Sequence, residues 1–262
     1  NGTSGYEEAA GQGWLAGVNA ALGLRDEEPA MLRRDQAYIG VMVDDLITKE
    51  HHEPYRPFTA AAEFRLLLRQ DNADLRLSLV AHRLGLVSDA FATAVEEKRA
   101  QVASELERLA VARVPVRGAA QAAYQRRGLA VPAEPPTGLQ LLRWPEVGYD
   151  LVEELAPPPR PLSPEARETV VVEAKYAGYI DRQEAEAYRW DRLERRRVPA
   201  GIDYGAIHGL RTEARERFLA ATPLTVGQAA RLPGVTPSDV AVLLAHLERG
   251  LPGRTVSGEA ED

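Results

Sequence analysis

Read for its alternation of apolar and polar residues, the chain is a series of helices separated by proline, glycine and short polar breaks. From Asp89 onward Phe91, Val95, Val102, Leu106 and Leu109 recur at spacings of three, four and seven, with Glu96, Glu97, Lys98 and Glu107 on the other side. That spacing predicts an amphipathic helix of about five turns that packs against its neighbours. Leu139 to Pro145 predicts a short helix stopped by proline. Ser163-Pro164-Glu165 has the form of a helix start, with a capping hydroxyl, proline at the first helical position and an acidic first turn. The helix it opens continues through Val170, Val172, Tyr176 and Tyr179 to the Arg195-Arg196-Arg197 cluster. Ile207-His208-Gly209-Leu210 and Leu232-Pro233-Gly234-Val235 are both apolar-x-Gly-apolar turns followed by helix starts, the form of helix-hairpin-helix units.

The first half is less regular. Two glycines and small hydroxyl residues precede a helix running to about Ala21, on which Ala9, Ala10, Gly13, Ala16 and Gly17 offer a smooth, close-packing face. Gln36 to Ile47 is apolar apart from Asp44-Asp45, and Phe64 to Leu68 suits a short buried strand or one helical turn. Asp71-Asn72-Ala73-Asp74 reads as a turn leading into a helix. The run Ala156-Pro157-Pro158-Pro159-Arg160-Pro161 reads as an extended linker near a domain boundary. The fold expected is mainly α, with residues 51–158 as a helical region with a short strand-containing insert, 159–250 as a second helical domain, and 251–262 as a disordered tail.

Charge narrows the chemistry. The 262 residues carry a net charge of −7, so any nucleic-acid contact has to come from a local patch. Arginine supplies nearly all the positive charge, and the chain has no cysteine, which excludes disulfides, thiolate metal sites and a cysteine nucleophile within it. No apolar run approaches a membrane span, so a cytoplasmic protein is expected. Asp44-Asp45 and His51-His52 lack metal-ligand spacing; the aspartates are expected to cap or pair with arginines, and the histidines to lie in a solvated loop.

The densest chemistry lies between Glu53 and Leu77, where Arg56, Arg65, Arg69 and Arg76 are interleaved with Tyr55, Phe58 and Phe64. Guanidinium forks at this density suit phosphate and base edges, because each presents paired donors. The alternative is that they pair with Glu63, Asp71 and Asp74 inside one folded unit. Arg182, Arg189, Arg192 and the triple arginine pose the same choice between an RNA track and an ion-paired helix. Around the second hairpin turn Arg231 is accompanied by Asp239 and Glu248. That favours an apolar groove lined by Val240, Leu243, Leu244 and Leu247 over a phosphate cradle.

The stretch Glu53 to Leu77 resembles the MnmG/GidA family of tRNA uridine-5-carboxymethylaminomethyl modification enzymes. The resemblance extends back through Gln36 to Val41 and Asp44-Asp45-Leu46 to the opening Asn1 to Ala9. Forward, it takes in Leu141-Leu142-Arg143, Pro145-Glu146-Val147, Lys175-Tyr176 with Gly178-Tyr179-Ile180, Thr225 to Ala229 and Gly234 to Pro237. It corresponds to the C-terminal part of the family's protein, so the chain is expected to be a piece of a longer one. The resemblance implies that residues 1–50 are the C-terminal edge of an FAD-binding α/β domain, in which Asn1, Gly2, Thr3, Gly5, Tyr6 and Glu7 form one edge of an FAD site. The dinucleotide-binding half, with its NADH site and catalytic cysteines, would lie upstream, and the chain would be inactive alone, with no catalytic residue of its own. It also implies a tRNA anticodon arm bound by Arg56, Arg65, Arg69 and Arg76, the GTPase MnmE docked on the C-terminal helices, and a homodimer in the full-length protein. Pro57 replaces the family's usual methionine, and Ala60-Ala61 stand where a serine and an arginine are usual. The second reading is a non-catalytic helical adaptor that has lost strong RNA binding.

Overall fold

The structure, a computed structural model, describes residues 2–49, 51–57 and 62–249. Asn1, Phe58, Ala60, Ala61 and the tail lie outside the described residues. Among the described residues the fold is helical and the only β pairing is three isolated bridges, Thr3–Tyr55, Arg113–Thr137 and Arg197–Thr225. The helices are α1 (Tyr6–Gly23), α2 (Tyr38–Thr48), α3 (Ala73–Arg83), α4 (Asp89–Val111), α5 (Ala119–Arg126), α6 (Gly138–Leu142), α7 (Tyr149–Leu155), α8 (Pro164–Arg195), α9 (Thr212–Ala221), α10 (Val226–Arg231) and α11 (Pro237–Arg249). They belong to two compact units, one of residues 17–38 and 62–184, the other of residues 1–16, 39–61 and 185–262.

The first unit is built on the stripe of α4. Val102 and Leu109 are buried with Val114, Tyr124, Leu141, Leu142, Leu151 and Val152, while Phe91, in the first turn, stays half-exposed. Short helices with little propensity of their own are held by local caps. Thr137 and Gln140 form a reciprocal capping box at α6, and the Ser163 hydroxyl accepts from the Ala166 amide at 3.2 Å as α8 begins. A buried carboxylate, Glu105, is fully partnered: Arg108 reaches both its oxygens, at 2.6 and 2.7 Å, and the Tyr149 hydroxyl donates to it at 2.8 Å. Burial, reinforced by that carboxylate, raises the Tyr149 pKa.

The expected boundary at the proline run is not where the units divide. Leu162, Ala166, Val170 and Ala174 share the core of Val102 and Val152, and Arg108 donates to the Ala156 carbonyl at 3.0 Å. The prolines thus form a bend within one core, and the division falls between Glu184 and Ala185, inside α8. Of the two forms offered for Phe64 to Leu68, a short strand or one helical turn, the chain takes the turn, with the Leu67 and Leu68 amides both donating to the Phe64 carbonyl.

The second unit contains the C-terminal bundle. Both hairpin turns have their glycine at positive φ, 87° at Gly209 and 86° at Gly234, a conformation that a side chain would strain. Their flanking residues Ile207, Leu210 and Leu232 enter a core with Phe218, Val226, Val240, Leu243 and Leu247. Val240, Leu243 and Leu247 are therefore interior, and Leu244 packs partly buried against the same cluster; the four do not line an open groove, because α11 needs that face to close its own bundle. On α1 the packed glycine is Gly11, against Ile39 and Met42 of α2, whereas a Cβ at Gly13 or Gly17 would meet nothing. The smooth face expected there is exposed among the described residues.

Asp239, buried at the start of α11, accepts from the Thr236 amide at 2.8 Å, its hydroxyl at 2.6 Å and Arg211 at 2.7 Å. Arg211 first, then Thr236, holds its carboxyl well below the usual carboxylate range. A depressed pKa means that the stabilisation is present above the unfolded-state value near ~4 and is lost as pH falls toward the folded one. Asp239→Asn is expected to lower the melting temperature at pH 7 by roughly 2–6 °C. In thermal melts run at successively lower pH, the gap between it and the unaltered chain should narrow below pH ~4.

Candidate nucleic-acid interface

The arginine-rich turn is anchored by the buried Phe64 and Leu68. From α8, Gln183 holds it by three bonds: its side-chain oxygen accepts from the amides of Leu66 (2.8 Å) and Leu67 (3.3 Å), and its nitrogen donates to the Glu63 carbonyl (3.0 Å). The turn leaves carbonyls with no helical partner, and guanidinium groups, with five donors each, fill them. Arg69 donates to the Leu66 carbonyl, pairs with Asp71 at 3.1 Å and reaches Glu173 on α8 at 2.7 Å. Arg76 donates to the Asn72 side chain at 2.8 Å, to the Arg69 carbonyl at 3.0 Å and to the Gln36 carbonyl. Its pKa is lowered, by burial first and by the Arg69 charge second. Arg34, also buried, takes Glu63 at 2.7 Å.

The four arginines therefore do not act alike. Arg65 is exposed and has no ion-pair partner among the described residues, whereas the donors of Arg69 and Arg76 are committed to the chain. Arg56, in the other unit, is likewise exposed. It follows Tyr55, whose hydroxyl donates to the buried Asp45 at 3.0 Å and whose amide donates to the Gly2 carbonyl at 2.6 Å. Those bonds seat the opening segment beside α2. Of the two aspartates expected to cap or pair with arginines, Asp44 meets Arg231 at 2.8 Å, whereas Asp45 meets Lys49, at 2.8 Å.

Of the residues read as a flavin edge, Gly2 has φ of 77° and the Thr3 hydroxyl accepts from Gln12 at 2.9 Å. Tyr6 and Glu7 open α1 exposed, with first-turn amides that have no intrahelical acceptor. At Gly5 the end of the Glu8 side chain lies where a Cβ would come, so a larger residue there would have to displace that carboxylate. A glycine-lined approach to an open helix N-terminus fits an electron-rich ring edge. Gln183, Glu173 and Arg34 are what sequence reading missed; their partners lie 29 to 120 residues away, beyond any local spacing signal.

Three family models match in turn: glucose inhibited division protein A over residues 1–28, the tRNA modifying enzyme MnmG/GidA C-terminal helical domain over 89–184, and the C-terminal helical bundle of the same enzyme over 186–261. The chain belongs to the MnmG/GidA family. The MnmG/GidA helical domain and bundle models adjoin where the two units divide, within α8. Curated relatives named tRNA uridine 5-carboxymethylaminomethyl modification enzyme MnmG are 45% identical over 95% of this chain in Exiguobacterium sibiricum and 49% identical over 95% in Pelobacter propionicus. The chain spans 40% of the length of each. Two crystal forms of Aquifex aeolicus GidA superpose with TM-scores of 0.77 and 0.75 at 41% and 40% identity, over 94% of this chain and 38% of theirs.

The division of labour among arginines is open to test by stability alone. Arg56→Ala and Arg65→Ala are expected to change folding free energy by less than about 0.5 kcal/mol in denaturant titrations. Arg69→Ala strands Glu173 and the Leu66 carbonyl and is expected to cost roughly 1–3 kcal/mol.

Proposed function

We propose that this chain is the tRNA- and partner-contacting C-terminal part of a flavoenzyme that, with its GTPase partner MnmE, adds carboxymethylaminomethyl or aminomethyl groups at C5 of the wobble uridine. The observation that carries the reading is identity of 45–49% across nearly the whole chain to relatives bearing that enzymatic name. The geometry adds two exposed guanidiniums, Arg56 and Arg65, on scaffolds stiffened by buried ion pairs. These take the phosphates of the anticodon arm, and Arg69 and Arg76 act through the turn that carries Arg65. Gly2, Thr3, Gly5, Tyr6 and Glu7 hold one edge of FAD by close backbone approach and helix-end amides; bound flavin supplies the redox chemistry, and the rest of its site comes from an upstream half. The adaptor reading rests on Ala60 and Ala61, outside the described residues, and no observation favours it. No described helix is long and apolar enough to cross a membrane.

Replacing the matching segment of Bacillus subtilis MnmG, 44% identical, with this chain tests the reading. The chimera is expected to restore wobble-uridine modification, measured by mass spectrometry of tRNA nucleosides; a folded, flavin-loaded chimera that leaves the uridine unmodified contradicts it. In RNA titrations Arg56→Ala and Arg65→Ala should each lower the slope of log affinity against log salt by about 1.

A further inference from the structure

One face of α8 carries an aromatic and cationic group that the fold does not use. Tyr176 is 45% exposed and Tyr179 59% exposed, and the Arg182 guanidinium lies over the Tyr179 ring, 5.4 Å from its centroid. A tyrosine ring left this far in water contributes little to a core, and a cation set over it restricts its motion. Gly178, beside them on the helix, leaves open space around its Cα. Further cations frame the group. Lys175, one turn before Tyr179, donates to the Pro145 carbonyl at 2.8 Å, which brings up the loop bearing the exposed Arg143. Gln183, one turn after Tyr179, anchors the turn bearing Arg65.

Three carboxylates of this stretch are paired or turned away from the face. Glu173 is held by Arg69. At 3.6 residues per turn, Asp181 and Glu184 point about 160° and 140° around the helix from Tyr179. Glu146, exposed on the Arg143 loop, and the half-buried Glu186, two turns after Tyr179 on the same side of α8, are further acids of this stretch. In a chain of net charge −7, two exposed rings with Arg182 set over one of them and Lys175 a turn away make a local cationic aromatic surface. Its chemistry matches RNA whose bases are unpaired, since only those offer a free π-face for a ring and a phosphate path for the flanking guanidiniums.

We infer that Tyr179, held by Arg182, is a stacking platform for an unpaired nucleotide of the bound RNA, with Tyr176 as its neighbour. This rests on the reading above that the chain binds tRNA, and names the subsite. The test is a pair of fluorescence titrations at fixed salt: one with an anticodon-arm hairpin carrying 2-aminopurine in its loop, the other with a fully paired duplex of equal length. Tyr179→Ala is expected to weaken loop binding by roughly fivefold to a hundredfold and to leave duplex binding unchanged, with the melting temperature retained because the ring is exposed. Tyr179→Trp should restore loop binding and 2-aminopurine quenching. Equal weakening of both RNAs, or an unchanged loop affinity as expected of a face that takes a protein instead, overturns the inference alone. An unaltered chain that binds neither RNA contradicts the tRNA reading itself.

Discussion

A guanidinium taken out of water stays charged, so the chain can close around it only where carboxylates and carbonyls accept its donors. That constraint organises both units. Arg34 and Arg69 fasten the turn after residue 62 through Glu63, Asp71 and Glu173. Arg231, nearly buried, stands between Asp44 of α2 and Glu194 of α8, with Trp190 under its guanidinium at 5.9 Å, and so ties the C-terminal bundle to the helix beside the opening segment. All of these pairs except Arg69–Asp71 join residues far apart in the chain, and removing one partner leaves an uncompensated charge inside.

Arginines left over from this interior work are the ones available to a ligand. Arg56 and Arg65 are exposed beside residues that are themselves pinned, Tyr55 by Asp45 and Leu66 by Gln183. A phosphate-binding side chain on a stiff mount loses less freedom on binding than one on a loose loop. Under the proposed tRNA-binding role, the buried arginines serve recognition indirectly, by fixing where the exposed ones stand.

The helical half of this design was legible in the sequence. The period of Val95, Val102 and Leu109, the Ser163-Pro164 start and the two glycine turns are local signals, and the structure follows each. The fate of the individual arginines was not, because Glu173 lies 104 residues from Arg69 and Gln183 lies 117 from Leu66. The same limit explains the proline run, whose composition reads as a linker although Leu162 and Ala166 continue the core beyond it. Val240, Leu243 and Leu247 were recognisable as one apolar face, but not what covers it: here it is the bundle's own Phe218 and Val226.

Arginine-selective modification with phenylglyoxal, read peptide by peptide with and without an anticodon-arm RNA, measures this division most directly. The account predicts that Arg56 and Arg65 react in the free chain and are protected by RNA, while Arg69 and Arg76 stay unreactive in both. Rapid modification of Arg69 or Arg76 in the free chain, with protection on adding RNA, would contradict it.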